Sequence, residues 1–124
     1  MHKFIFLAIG GITGTIARYA LEGSVFKALG SSFPYGTLAV NLLGCFIIGF
    51  LASISESKFL IGPNLRLLLM IGFCGAFTTF STLILETSNL IKDGETIRAL
   101  TNVLLSVIVG FIVFRVGVLL GEML

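Results

Sequence analysis

Four long apolar stretches govern what this chain can fold into. They run from about Phe4 to Leu21, Tyr35 to Ser53, Leu67 to Ile91 and Ala99 to Leu120. About 20 mostly apolar residues are enough for a helix to cross a bilayer. A soluble domain carries roughly 25% charged residues, whereas this chain carries 11%, with 56% hydrophobic residues over 124 positions. So short a chain cannot enclose that much apolar surface in a core of its own. The expectation is an all-α integral membrane protein, a single four-helix domain over residues 1–124.

The connectors are short and polar. "EGSVFKALGSSFP" joins the first pair of spans, "SESKFLIGPN" the second and third, and "KDGE" the last pair. Pro34 precedes the second span, and Gly62–Pro63 marks a turn. The opening "MHK" followed by an apolar run resembles a signal peptide. No small-residue cleavage pattern follows it, so the run is expected to stay as the first span. Small residues recur along the helices at Gly10 and Gly14, at Gly36 and Gly44, and at Gly110, Gly117 and Gly121. In lipid such residues let helix backbones approach closely.

Charge placement is even-handed. Four spans put both termini and the middle loop on one side, with Lys3, Lys58 and Arg66 there and Arg115 nearest to it. Arg18, Lys27, Lys92 and Arg98 lie on the other side. The eight cations divide equally, so the positive-inside rule selects no orientation. Insertion in both directions, and pairing of opposite copies as an antiparallel homodimer, is the expectation. Four helices are also too few to enclose a pore and pack it from outside, which again implies a homo-oligomer. With no basic run, nucleic acid is not indicated. Cys45 and Cys74 fall in apolar segments and read as idle thiols.

Polar groups at membrane depth are costly and mark function. The densest run is "GAFTTFSTL" (75–83), which holds Thr78, Thr79, Ser81 and Thr82. Gly75 and consecutive threonines favour a break in the third helix, because hydroxyls compete for backbone bonds. The alternative is an unbroken helix whose hydroxyls bond back onto their own turn. Freed carbonyls would suit a cation and freed N–H groups an anion. Phe77 and Phe80, three apart, pair as candidate ring edges, which carry partial positive charge. Asn41 reads either as an interhelical contact or as a donor to a passing ligand. Arg18 either snorkels to the interface or draws anions into a vestibule. Glu86 shares a helix face with Thr79 and Thr82 or Leu83, as a pairing, proton-exchanging or gating carboxylate.

Hydroxyls, an amide and ring edges without a base or a metal-ligand cluster suit a small hard anion shedding its water. The single histidine is His2, and no catalytic triad pattern exists, so an enzyme is not expected.

Three motifs carry a resemblance. "GGITGTIARY" (10–19), "GTLAVNLLG" (36–44) and "GFCGAFTTFST" (72–82) together resemble the CrcB/Fluc fluoride channels, in motif order and over the whole chain. The resemblance implies an antiparallel dual-topology homodimer in the bacterial inner membrane. It implies two fluoride pores for passive fluoride export and resistance, and a central sodium ion held by the main-chain carbonyls of Gly75 and Thr78 from both subunits. Asn41, Phe80 and the hydroxyls of Thr37, Ser81 and Thr82 match the family's pore residues, with Ser106 a further candidate. Arg18 matches the vestibule arginine and Glu86 the acidic residue near one pore end. The chain departs from the family at Leu83, where a second phenylalanine is usual, and at Gly110, where some members carry a hydroxyl. The family pattern does not support Phe77 as a partner for Phe80.

An alternative is a small dual-topology, proton-coupled cation or multidrug exporter. Such proteins depend on a glutamate within the first span, whereas Glu22 lies at its end. A membrane scaffold without transport is a third reading.

Overall fold

The computed structural model describes residues 2–57 and 59–124. Lys58, one of the cations of the charge argument, lies outside the described residues. Every regular element among the described residues is helical: α1 (His2–Leu29), α2 (Tyr35–Glu56), α3 (Pro63–Arg66), a π-helical stretch (Leu67–Cys74), α4 (Gly75–Phe77), α5 (Phe80–Lys92) and α6 (Thr96–Glu122). The segments from Pro63 to Lys92 form one span, so four helical spans are long and apolar enough to cross a membrane.

The first span outruns its sequence boundary. Residues 22–28 hold no proline and continue the helix to Leu29. Gly30 then ends it, with φ of +80° and its N–H on the Phe26 carbonyl at 2.8 Å. That left-handed conformation costs an L side chain energy and suits glycine. At the next start, Pro34 precedes α2. Pro63 opens α3 from the first helical position, where its missing N–H has no partner to lose.

Packing follows the small residues. α1 lies along the π stretch, and α2 along α6. A Cβ placed on Gly10 would strike the Leu68 carbonyl and come within 2.8 Å of the Phe73 N–H; one on Gly14 would strike the Phe73 carbonyl. Gly117 meets the Phe46 carbonyl across the α2–α6 seam in the same way. These glycines are contact points between backbones, as expected for helices that associate without water to expel. Both cysteines are free, and Cys74 is buried in the small core with Leu51, Ile54 and Ile61.

Little of the apolar surface is covered by the chain itself. At most 39% of any span's apolar stretch is buried, and large side chains such as Phe4, Ile12, Phe111 and Ile112 are exposed. In a membrane this surface faces lipid or another protein, so the chain is a multi-pass membrane protein.

The ends of the bundle sort the charges. Lys3 and Arg66 line one cavity. At the opposite end Lys27 lines another, and Arg98 donates from Nη1 to the Ser32 carbonyl at 3.1 Å.

Candidate ion pathway

The third span breaks at Thr78 and Thr79. Both are extended, at φ −93°, ψ 156° and φ −150°, ψ 112°. Of the two readings of the hydroxyl run, the structure holds the broken helix. Each side of the break is closed by a different device. Thr78 ends the first half by donating its N–H and its hydroxyl to the Cys74 carbonyl, at 3.1 and 2.9 Å. Thr79 begins the second half as an N-cap, its Oγ1 accepting from the Thr82 N–H at 3.2 Å. Its hydroxyl donates to Thr82 Oγ1 at 2.9 Å, and Ser81 Oγ stands 3.4 Å away. A threonine cap of this kind satisfies one of the orphan donors of a helix start.

Asn41 holds the break from α2. Its Oδ1 accepts the Thr79 N–H at 2.8 Å, and its Nδ2 donates to the Thr79 carbonyl at 3.1 Å. The amide therefore engages both backbone polar groups of the one residue, Thr79, across the helix boundary. The interhelical contact foreseen for Asn41 is present. One Nδ2 hydrogen and one Oδ1 lone pair remain beyond these two bonds.

The same rearrangement takes the helical donors from the carbonyls of residues 75–78, those of Gly75 and Thr78 among them. In a continuous helix Thr79 would donate to Gly75 and Thr82 to Thr78. Here those N–H groups go to Asn41 and to the Thr79 hydroxyl. The Gly75 and Thr78 carbonyls thus lose their helical donors, and Gly75 is exposed at the chain's surface. Between them in sequence, the Ala76 carbonyl accepts from Arg18 Nε at 3.0 Å. Arg18 also stands 4.0 Å from Glu22 through Nη1. Through its bond to Ala76 it caps the first half-helix.

The ring pair read from spacing does not form. Phe77 is buried at 3% exposure and stacks on Phe73, centroids 5.4 Å apart. Phe80, past the break, is 73% exposed. Two extended residues separate the rings and turn them to opposite environments, so a helical spacing of three has no meaning here. Leu83 is buried at 5% exposure.

The hydroxyl positions spread along α5 and its neighbours. Ser81 is exposed and Thr82 half-buried. Thr37 is buried and lines, with Glu86, Glu22, Lys27 and Asp93, a cavity of about 790 Å³ at one end of the bundle. Ser106 is half-buried on α6, and its Oγ meets no hydrogen-bonding group among the described residues. One turn before it, Asn102 is 1% exposed. Its Nδ2 donates to Thr87 Oγ1 at 3.1 Å, and Thr87 donates onward to the Leu83 carbonyl at 2.7 Å. Sequence reasoning passed over Asn102, although an amide inside the apolar run "TNVLLSVIV" carries the same signal as Asn41.

A family model described as CrcB-like protein, Camphor Resistance (CrcB), matches residues 5–118. The chain belongs to the CrcB family. Among curated relatives, one from Desulforapulum autotrophicum is 45% identical over 99% of this chain and 98% of its own length. One from Dehalococcoides mccartyi is 44% identical, covering 100% of this chain and 95% of the relative. A third, from Citrifermentans bemidjiense, is 42% identical over the full length of both. Each is named fluoride-specific ion channel FluC. The match runs end to end, so the broken span, the Asn41 brace and α6 all fall inside the region shared with these relatives.

Proposed function

We propose that the chain is a fluoride-specific ion channel that lets cytoplasmic fluoride leave the cell passively. The observation that carries this reading is identity above 40% over the whole chain to relatives named for that activity. The geometry agrees with an anion path. α5 starts partway along the third span at Phe80, and a helix start presents N–H groups and partial positive charge. Ser81, Thr82 and the remaining Asn41 hydrogen add donors that can replace water around a small anion. Phe80 adds an exposed ring edge, Thr37 and Ser106 extend the hydroxyl track, and Leu83 occupies the position after it. Arg18 and Glu86 stand toward the pore's end.

Transport of this kind needs no coupled energy source. Hydrogen fluoride crosses lipid as a neutral molecule and dissociates in a near-neutral cytoplasm. A potential negative inside then drives the anion out, by about 2.3 kcal/mol per charge per 100 mV. In a bacterial cell the membrane concerned is the inner one.

The working unit is read as an antiparallel homodimer with two pores. Equal charge on the two ends supports it, as does the exposed position of Gly75 and Phe80. The freed carbonyls of Gly75 and Thr78 fit a sodium ion, being hard oxygen donors at the negative end of a half-helix. A sodium ion bound there would supply fixed positive charge and hold two copies together. The test is fluoride efflux from liposomes containing purified protein. Efflux of fluoride without chloride is expected; intact, inserted protein that passes no fluoride would end the proposal.

A further inference from the structure

At the end of the bundle away from Glu86, a cavity of about 770 Å³ opens where the start of α1, the end of α2 and the start of the third span meet. None of the candidate pore residues lines it. Two cations, Lys3 and Arg66, stand in its wall with one acid, Glu56. Among the described residues neither cation is ion-paired. Its apolar surface includes Met70 and Ile71, the latter open to the membrane.

Ser55 also lines this cavity. It is only 4% exposed, yet its hydroxyl has no hydrogen-bond partner among the described residues. A helical serine ordinarily bonds back to the preceding turn, as Ser57 does to the Ser53 carbonyl at 2.6 Å. A buried hydroxyl without a partner is costly and calls for an acceptor. The volume is far too large for a monatomic ion, and its walls are basic toward the end of the span and apolar along it. A phospholipid has the same division, anionic phosphate above and acyl chain below, and basic pockets between helices at the membrane surface suit anionic headgroups.

We propose that this cavity seats an anionic phospholipid, with Lys3 and Arg66 contacting its phosphate, Ser55 donating a hydrogen bond to it, and Met70 and Ile71 against the acyl chain. The site is independent of the fluoride reading; it requires only that the spans lie in a bilayer.

The full chain in nanodiscs of equal phosphatidylglycerol and phosphatidylcholine would be released and weighed by native mass spectrometry. Phosphatidylglycerol is expected to be retained in preference. Lys3→Gln and Arg66→Gln should each weaken that retention about fivefold, the effect of one surface cation on an anionic lipid. Ser55→Ala should also weaken it while leaving the melting temperature in lipid-free detergent unchanged or raised, because without lipid it removes an orphaned hydroxyl. Equal retention of the two lipids, or retention indifferent to the Lys3→Gln/Arg66→Gln pair, overturns the proposal. Displacement of the lipid by inorganic phosphate at matched ionic strength overturns it too, since the cavity would then read a free anion.

Discussion

Asn41 and Phe80 differ in what they hold within the chain. Asn41 bonds both backbone groups of Thr79, and because the Thr79 carbonyl also starts α5, Asn41→Leu orphans the N–H. A buried orphan costs about 1–3 kcal/mol. The variant should melt lower by circular dichroism and pass no fluoride. Asn41→Asp keeps an acceptor for the Thr79 N–H but turns a carboxylate oxygen toward the Thr79 carbonyl. It should stay folded more often and still lose flux. Phe80 makes little packing within the chain, being 73% exposed. Phe80→Ile should therefore leave the melting curve close to wild type while fluoride efflux from liposomes disappears. Unchanged efflux in that variant would remove Phe80 from the pathway.

At the scale of elements, two seams matter. The first is α1 against the π stretch, where Gly14 meets the Phe73 carbonyl. Gly14→Leu forces those backbones apart, and overpacking of this kind costs about 1–3 kcal/mol or more. Loss of the monodisperse peak on size exclusion is expected, whereas a serine at Gly11, where an added Cβ meets nothing, should be tolerated. The second seam is α5 against α6, joined by Asn102 and Thr87. A double-mutant cycle with Asn102→Leu and Thr87→Val should return a coupling of about 0.6–1.7 kcal/mol, the range for hydrogen bonds between membrane helices. A coupling of zero would show that the two side chains act independently.

At the scale of the whole molecule, the equal division of cations is the property to perturb. Replacing Glu95 and Asp93 with lysine adds positive charge to the end that already holds Lys27 and Arg98. Orientation follows such a bias in short loops. If opposite copies form the channel, this variant alone should insert one way, as read by cysteine labelling from each side of the membrane, and should lose fluoride efflux. Co-expression with a chain biased the other way should restore it. Full activity from a uniformly oriented variant would refute the antiparallel dimer.

The membrane class, the four spans and the small-residue seams were legible in the linear pattern, because hydropathy and glycine spacing act locally along a helix. The break near Gly75 was legible for the same reason: hydroxyls compete with the backbone within a turn. What linear spacing could not supply was the direction of side chains beyond the break. Two extended residues sent Phe77 inward to Phe73 and Phe80 outward, so their separation of three did not make them partners. Asn102 carried the same signal as Asn41, an amide in an apolar run; only its partner, Thr87 on another helix, needed the structure. The extra turns of α1 were missed because a polar connector can stay helical until a glycine such as Gly30 ends it. The donor that leaves Gly75 was equally out of reach, since it depends on Asn41 arriving from α2, whereas the one that leaves Thr78 goes to a hydroxyl three residues away. Local chemistry is written in neighbouring residues, whereas the fate of each freed N–H and carbonyl is settled by whichever side chain the packed helices bring to it.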